Sequence, residues 1–250
     1  MTGWEIPVVA LAGMVAGLMN TVVGSGTLIT FPALLAVGIP PVTANVSNTV
    51  GLFPGSFAGA HGYRRELAGQ RSRAVLLGTA SMLGGLGGAV LLLVLPAAAF
   101  RTIVPVLIVM ALGLVVFGPR LTSWMATHGH AVSDRVGWPL WLLTAATGVY
   151  GGYFGAAQGV FLMGFLGILL ADSVQRHNAL KNVLAGVVNL VAAVVFVLTT
   201  QVDWAAAGLI AVGSILGAFV GARFGRRLSP RALRALIVLV GCAAIVKLVV

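Results

Sequence analysis

Charged residues are scarce in this sequence of 250 residues. Only 8% of positions are Asp, Glu, Lys or Arg, whereas 59% are hydrophobic and the mean hydropathy is +1.07. An average soluble domain carries about 25% charged residues. The composition therefore excludes a soluble globular protein, and apolar runs follow one another from Ile6 to Val250 without room for a separate soluble domain.

Carboxylates and cysteines are scarcer still. The single cysteine, Cys242, lies in the last apolar run, so neither an intrachain disulfide nor a metal cluster is expected, and no cofactor is indicated. The net charge of +10 comes from arginines in short loops between apolar runs, which indicates membrane orientation and not a nucleic-acid partner. The five acids are Glu5, Glu66, Asp134, Asp172 and Asp203.

Long apolar segments dominate what remains. A membrane-spanning helix needs about 20 apolar residues, and no Lys or Arg precedes the first segment, so we expect a retained helix and not a signal peptide. The sequence predicts an all-α integral membrane protein with the lipid bilayer as its surroundings. The segments are 6–23, 27–38, 42–60, 74–95, 98–118, 138–154, 155–171, 174–199, 203–223 and 231–250.

An internal repeat relates the first five segments to the last five. A shift of 133 residues places Ser81 on Ser214, and the same shift superposes several neighbouring small residues. We therefore predict a first transmembrane repeat over 1–120, a cytoplasmic linker over 121–135 and a second repeat over 136–250. The further matched pairs are Gly84 with Gly217, Gly88 with Gly221, Ala89 with Ala222 and Arg101 with Arg234.

Loop charges predict that the two repeats are inverted. The loop 61–73 contains four arginines, whereas its counterpart 199–204 contains only one charged residue, an acid. For the next loop the order reverses, because 96–101 carries one arginine and 223–234 carries five. Short cytoplasmic loops are enriched in Lys and Arg, so both chain ends are expected outside the cytoplasm. A chance charge pattern in a channel or structural protein is the alternative.

Glycines interrupt the apolar pattern at two corresponding places. Gly24 and Gly26 flank Ser25 after the first segment, and Gly155 precedes Gln158 in the second half. An unwound backbone is tolerated at membrane depth only where protein or a wet cavity surrounds it. Inverted repeats with broken helices near the midplane are typical of secondary transporters.

The segment after the first break, 27–38, is too short to cross a bilayer. About 12 helical residues extend roughly 18 Å, whereas the hydrocarbon core is about 30 Å thick. We therefore expect a half-helix or re-entrant segment. If its counterpart enters from the opposite side, polar residues beside the two breaks meet near the midplane.

Polar side chains gather at the start of the third segment of each half. Helical spacing places Asn178, Lys181 and Asn182 on one face, and Asn45 and Asn48 likewise share a face. These groups donate hydrogen bonds, Lys181 adds a full positive charge, and no carboxylate lies deep in a segment, so the pattern predicts a small-anion site. The candidate residues are Gly24, Ser25, Gly26, Asn45, Ser47, Asn48, Gln158, His177, Asn178, Lys181 and Asn182.

Each candidate also has a purely structural interpretation. Lys181 could extend its ammonium to the lipid headgroups, and the asparagines could bind neighbouring helices to one another. Motifs of enzymes are weak, since Gly24-Ser25-Gly26 matches neither a nucleophile elbow nor a P-loop. The sequence does not predict an enzyme.

Six short motifs distributed over the whole chain carry a family resemblance. They are Val23-Gly-Ser-Gly-Thr-Leu-Ile-Thr-Phe-Pro-Ala-Leu-Leu, Gly38-Ile-Pro-Pro-Val-Thr-Ala-Asn-Val-Ser47, Pro54-Gly-Ser56, Tyr63-Arg-Arg65, Gly151-Gly-Tyr-Phe-Gly155 and Leu180-Lys-Asn-Val-Leu-Ala-Gly-Val-Val-Asn189-Leu-Val-Ala-Ala-Val-Val-Phe196. These motifs resemble the sulfite exporter TauE/SafE family. The sequence departs from the family pattern at Ala44 to Ser47, where a Gly-Thr-Ser stretch is usual, and at Ala156 to Gln158, where more glycine is usual.

The resemblance implies a multi-pass protein of the bacterial cytoplasmic membrane that exports sulfite, sulfoacetate or a related organosulfur anion. Together with the inverted repeats it predicts a secondary transporter that works by alternating access. A homodimer is one assembly that the sequence leaves open. A proton-coupled importer of small anions, with His177 as the titrating group, and a non-transporting membrane scaffold are the alternatives.

Overall fold

The computed structural model describes residues 3–128, 134–225 and 235–242, and within these ranges the chain is helical without a strand. Residues 235–242 form the helix α10. The preceding helices are α1 (Glu5–Val22), α2 (Thr27–Ala36), α3 (Pro41–Gly62), α4 (Arg71–Val94), α5 (Ala97–His128), α6 (Trp138–Tyr153), α7 (Gln158–Leu169), α8 (Val174–Thr199) and α9 (Trp204–Phe224).

Five of the described helices are long and apolar enough to cross a membrane. They are α1, α4, the Ala97–Gly118 part of α5, α8 and α9. The short segment expected after the first break is present as well, since α2 has 10 residues. In the second half, α7 has 12 residues and is shorter than the predicted segment 155–171. The prediction of an all-α membrane protein is confirmed, while a re-entrant path for α2 and α7 stays a prediction.

The helix ends follow from residues with special backbone properties. Proline occupies the first turn of α3 and of α6, where its missing N–H costs no hydrogen bond. The Asp203 carboxylate accepts a hydrogen bond from the Ala206 amide at 2.9 Å and caps α9. Gly24 after α1 and Gly155 after α6 have φ of 92° and 76°, which is the left-handed region that glycine adopts without strain.

Helices of one predicted repeat pack against helices of the other. α1 of the first repeat packs against α9, and α6 of the second packs against α4. α3 and α8, which correspond under the 133-residue shift, pack against each other in the middle of the bundle. This packing is consistent with two related halves, whereas their opposite orientation in a membrane stays a prediction.

The region between the repeats contains more helix than hydropathy indicated. α5 continues to His128 and so includes much of the predicted linker 121–135, of which residues 129–133 lie outside the described residues. The arginines of the loop 223–234 after Arg223 also lie outside them, as does most of the segment 231–250.

Glycine brings the backbones of α1 and α9 into direct contact. A Cβ atom at Gly217 would lie 1.8 Å from the Met14 carbonyl oxygen, and one at Gly17 would lie 2.1 Å from the Ser214 carbonyl oxygen. Where lipid replaces water, such close packing holds helices together in place of the hydrophobic effect. The small residues are therefore required by geometry on this face.

We expect Gly217→Ala to lower the free energy of unfolding by about 3 kcal/mol, at the upper end of the overpacking range. Gly208→Ala on the same helix is the matched control, because a Cβ there meets nothing within 4 Å. That substitution should stabilise the helix by about 0.5–1 kcal/mol. Thermal unfolding of both variants in detergent measures the difference, and equal midpoints would contradict the close packing.

Large apolar side chains cover the outside of the bundle. In a protein surrounded by water such a surface would favour aggregation, whereas here it faces the region where lipid is expected. Examples from four helices, each at least 53% exposed, are Leu11, Leu83, Val106, Val212 and Leu216.

Candidate functional site

The two predicted breaks touch each other. The Gly159 amide at the start of α7 donates a hydrogen bond to the Gly24 carbonyl oxygen at 3.0 Å. A Cβ atom at Gly24 would lie 2.4 Å from the Gly159 Cα, and one at Gly159 would lie 2.5 Å from the Gly24 Cα. We call this contact the glycine crossing. It joins the broken part of one repeat directly to that of the other.

Lys181 lies beside the glycine crossing with its ammonium at the end of α1. Its Nζ donates to the carbonyl oxygens of Asn20 and Thr21 at 2.8 and 3.2 Å. The amides of Asn178 and Asn182 also donate to the Thr21 oxygen, at 3.1 and 3.4 Å. The last carbonyls of a helix have no partner within it and carry the negative end of its dipole. Three side chains of α8 therefore cap α1.

The charge of Lys181 has no carboxylate partner. The residue is 1% exposed, and within the described part of the chain no Asp or Glu contacts its ammonium. Carbonyl groups compensate a buried charge only partly, and an unpaired buried charge is costly. The surroundings of Lys181 therefore favour an anion.

The other repeat contains a similar cap. The Asn45 amide on α3 donates to the carbonyl oxygen of Tyr153, the last residue of α6, at 2.9 Å. Asn45 and Asn178 differ by 133 positions, which is the repeat shift (178 − 45 = 133). Each central helix thus caps the first helix of the other repeat. The same shift places Asn48 opposite Lys181, so one cap is neutral and the other is charged.

Asn48 joins α3 to the short helix α2. Its Oδ1 accepts a hydrogen bond from the Thr30 hydroxyl, and its Nδ2 donates to the Thr27 hydroxyl at 3.3 Å. Both threonines are buried. Asn45 and Asn48 are therefore both buried and hydrogen-bonded, and the partners of Asn48 on α2 are hydroxyl groups.

Several buried polar atoms around the glycine crossing have no hydrogen-bond partner. Buried polar atoms are nearly always paired, so a concentration of unpaired ones marks a place where water or a ligand can bind. Within the described residues nine such atoms are found, and six of them belong to residues at the crossing or on the two caps. They are Thr21 Oγ1, Ser25 Oγ, Asn45 Oδ1, Tyr153 OH, Gln158 Nε2 and Asn178 Oδ1.

Not every candidate residue faces this region. The Ser47 hydroxyl accepts a hydrogen bond from the Asp203 amide at 2.9 Å, so it connects α3 to the start of α9. Gly26 acts through its small size, because a Cβ there would lie 2.5 Å from the Ala16 carbonyl oxygen. Asn48 contacts α2, and His177 lies in the first turn of α8. Gln158 and the remaining candidates lie at the crossing or on the two caps.

Ala157 is strained at the position where the family resemblance predicts more glycine. It has φ of 59° at the start of α7, although it carries a Cβ. For a residue other than glycine, this conformation costs roughly 1–2 kcal/mol. Ala157 therefore has a backbone conformation that favours glycine, although the sequence has alanine at this position.

Aromatic rings close one side of the Asn45 cap. Phe31 of α2 contacts Phe154 with a centroid distance of 5.2 Å and an interplanar angle of 88°. Phe100 of α5 packs against Phe31 and Tyr153 at 6.4 and 5.9 Å. All four rings are at most 5% exposed. They exclude water from the carbonyl that Asn45 caps.

An ionic cluster lies at the start of α8. The Asp172 carboxylate accepts from Arg73 Nη1 and from Arg176 Nε, each at 2.7 Å. Burial acts to raise the pKa of Asp172, but hydrogen bonds from Arg176, the Ser173 amide and Arg73 outweigh it and hold the pKa below its usual 3.8. Because the folded pKa is lowered, this contribution to stability is present above pH 3.8 and is lost as the pH falls through the folded pKa.

Sequence reasoning missed the backbone half of the site. The carbonyls of Asn20 and Thr21 and the hydroxyls of Thr27 and Thr30 were not among the predicted residues. A helix that ends at a glycine break always exposes its last carbonyls, and this general rule was the available signal. No group of three or more His, Cys, Asp or Glu that could hold a metal was found in the described ranges.

Comparison with known proteins assigns the family. The family model of the sulfite exporter TauE/SafE family matches residues 9–248, which is nearly the whole chain. The chain belongs to this family. It is a multi-pass membrane protein and a membrane transporter, as the prediction of that family implied.

Relatives of similar length carry transporter names. The chain is 28% identical over 245 residues to the "Probable membrane transporter protein YfcA" of Escherichia coli, a match that covers 96% of this chain and 88% of the relative. It is 30% identical over 240 residues to the "Probable membrane transporter protein ORF9" of a Sinorhizobium species, with 95% and 90% coverage. A "Probable membrane transporter protein" of Haemophilus influenzae is 28% identical over 240 residues, with 95% and 91% coverage. No solved structure matches the chain.

Proposed function

We propose that this transporter exports a small anion across the cytoplasmic membrane by alternating access, and that the anion binds at the Lys181 cap. The observation that carries the proposal is a buried ammonium that contacts carbonyl oxygens and, among the described residues, no carboxylate. Sulfite, sulfoacetate and related organosulfur anions are the substrates we infer from the family. Their oxygen atoms are acceptors of the kind that this cap already holds.

In this conformation the α1 carbonyl oxygens accept the hydrogen bonds that a bound anion would accept. The oxygens of Asn20 and Thr21 take hydrogen bonds from Lys181, Asn178 and Asn182. An anion can use those donors only when the end of α1 moves away. Charge-assisted hydrogen bonds to an anion are roughly twice as strong as those to a neutral carbonyl, so substrate binding favours the displaced state.

Gly24 supplies the place at which α1 can bend. It lies two residues after the end of α1 and has a left-handed backbone, and the glycine crossing holds it against α7. Hinges are a few residues at element ends that absorb changes of φ and ψ. A displacement of α1 at this point would disturb the second repeat through Gly159, and so couple the two halves.

The membrane potential can drive export without a coupling ion. With the inside negative, moving one negative charge outward gains about 2.3 kcal/mol per 100 mV, which corresponds to roughly a 50-fold concentration ratio. A site without a carboxylate needs no proton relay for this. The outward direction therefore follows from the sign of the substrate charge.

Proteoliposomes with an imposed potassium diffusion potential test this function. We expect uptake of radiolabelled sulfite or sulfoacetate to follow the voltage and to ignore a pH gradient, relative to liposomes without protein. The absence of flux for every small anion tried would reject transport of this substrate class.

A proton-coupled importer is the second candidate, and one observation favours it. His177 is 4% exposed, lies one helical turn before Lys181, and its Nε2 has no partner. A flux that requires the pH gradient and is lost in His177→Gln would select this candidate. A flux that follows voltage in both proteins would exclude it.

A further inference from the structure

Asp172, Arg73 and Arg176 form a contact between the two repeats that the Lys181 site does not use. Arg73 is the third residue of α4. Asp172 lies two residues before α8, and Arg176 lies in the first turn of that helix. We call these three residues the ionic latch. The arginine-rich loop 61–73 leads into it, so it lies at the end of the bundle predicted to be cytoplasmic.

Further hydrogen bonds hold the latch closed. Arg176 Nη1 donates to the Ala68 carbonyl oxygen at 3.0 Å, and the Gln70 amide donates to the Arg176 carbonyl oxygen at 3.1 Å. Arg73 Nη2 donates to the Asp134 carbonyl oxygen at 2.7 Å. The first two bonds tie the start of α8 to the loop before α4, and the third ties α4 to the residues just before α6.

The side chains of the latch are partly exposed, and the latch lies close to the buried Lys181 along the chain. Its side chains are 19%, 13% and 31% exposed for Arg73, Asp172 and Arg176, whereas Lys181 is 1% exposed. Arg176 and Lys181 are five residues apart on α8, which is about 7.5 Å of helix rise. The unpartnered His177 Nε2 lies between them in sequence. The start of α8 thus carries three groups able to bind an anion within six residues.

Two arginines that share a single carboxylate have the chemistry of an anion site. Guanidinium groups bind carboxylate, sulfite and sulfonate oxygens in the same planar, charge-assisted geometry. Asp172 holds this place as a tethered anion of the chain itself. Such an internal competitor reduces the apparent affinity for a free anion to the intrinsic affinity multiplied by the fraction of time that the site is free.

We propose that Arg73 and Arg176 form an outer anion-binding site, and that the Asp172 carboxylate fills it until the transported anion displaces it. This inference rests on the proposed function, since it names the first binding site on the same transport pathway. Displacement of Asp172 also removes the Arg73 ion pair that joins the start of α8 to α4. The arrival of substrate therefore weakens the contact between these two helices.

Asp172→Asn tests the displacement, because it removes the competing charge and keeps the side-chain shape. Inside-out membrane vesicles expose the predicted cytoplasmic end to radiolabelled sulfite. We expect the KM for sulfite from that side to fall about tenfold in Asp172→Asn. A purely structural role of Asp172 would instead lower the maximal rate or the yield of folded protein without lowering KM.

The arginines give the opposite expectation. Arg73→Gln and Arg176→Gln should each raise this KM by about tenfold, since one charged ligand is lost. Arg71→Gln, two residues before Arg73 on the exposed side of α4, is the matched control and should change KM by less than about twofold. If Asp172→Asn does not fold, these three variants decide alone.

Two failures are distinguishable. If wild-type vesicles transport no sulfite, the proposed function is wrong. If they transport sulfite but the KM of Asp172→Asn is unchanged or raised, or Arg73→Gln and Arg176→Gln behave like Arg71→Gln, the outer site is wrong while the proposed function stands.

Discussion

Replacement of Lys181 by methionine should lower the rate of anion transport by about 100-fold or more. Loss of one partner of a buried, hydrogen-bonded charge pair costs about 2–5 kcal/mol, and a factor of 100 corresponds to about 2.7 kcal/mol. The substitution keeps a long unbranched side chain, so it removes the charge and leaves the packing against Gly159. Flux into proteoliposomes at fixed voltage measures the effect.

The folded state should survive this change. The Thr21 carbonyl keeps its hydrogen bonds from Asn178 and Asn182 when Lys181 is gone, so we expect a loss of only about 1–3 kcal/mol of stability. Arg101→Met is the control, since it removes an exposed positive charge at the start of α5 and should leave transport unchanged. Normal flux with Met at position 181 would remove this residue from the binding site.

The glycine crossing predicts the largest effect on folding. Gly24→Ala adds a Cβ that would lie 2.4 Å from Gly159 Cα, and it also places alanine at φ of 92°. The backbone conformation alone costs roughly 1–2 kcal/mol, and overpacking of a rigid contact adds about 1–3 kcal/mol. We expect little folded protein and no transport, as measured by monodispersity in detergent and by flux.

Two further variants separate the causes. Gly38→Ala has the same backbone problem, with φ of 84°, but its Cβ would meet nothing within 4 Å. It should lose only the conformational part and still transport. Gly159→Ala has the clash, at 2.5 Å from Gly24 Cα, and its φ is not positive. If Gly159→Ala were as mild as Gly38→Ala, the close contact would not explain the effect of Gly24→Ala.

Hydropathy and glycine content predicted much of the fold. The bounds of α8 agree with the segment 174–199, because a polar turn precedes it and an acidic loop follows it. The breaks after α1 and α6 were visible because glycine is the residue that tolerates their backbone. α5 was predicted too short, since apolar content marks where lipid contact ends and not where helical hydrogen bonding ends.

The candidate site was only half predictable. Asn178, Lys181 and Asn182 could be placed on one face from their spacing, and the structure keeps them together. Their partners are backbone oxygens more than 150 residues away, and side-chain identity carries no information about such acceptors. Ser47 illustrates the opposite difficulty, since a hydroxyl near a polar cluster can face a neighbouring helix end instead.

The reciprocal caps have a consequence for how the protein is made. Asn20 and Lys181 are 161 positions apart, so the end of α1 emerges from the ribosome long before the lysine that completes it. Until then its last carbonyls must be satisfied by water or by the insertion machinery, because lipid offers them no hydrogen bond. The same applies in reverse to α6, whose cap on α3 is already present when it is synthesised. The cap of α1 in the first repeat can therefore form only after the second repeat has been synthesised and inserted into the membrane.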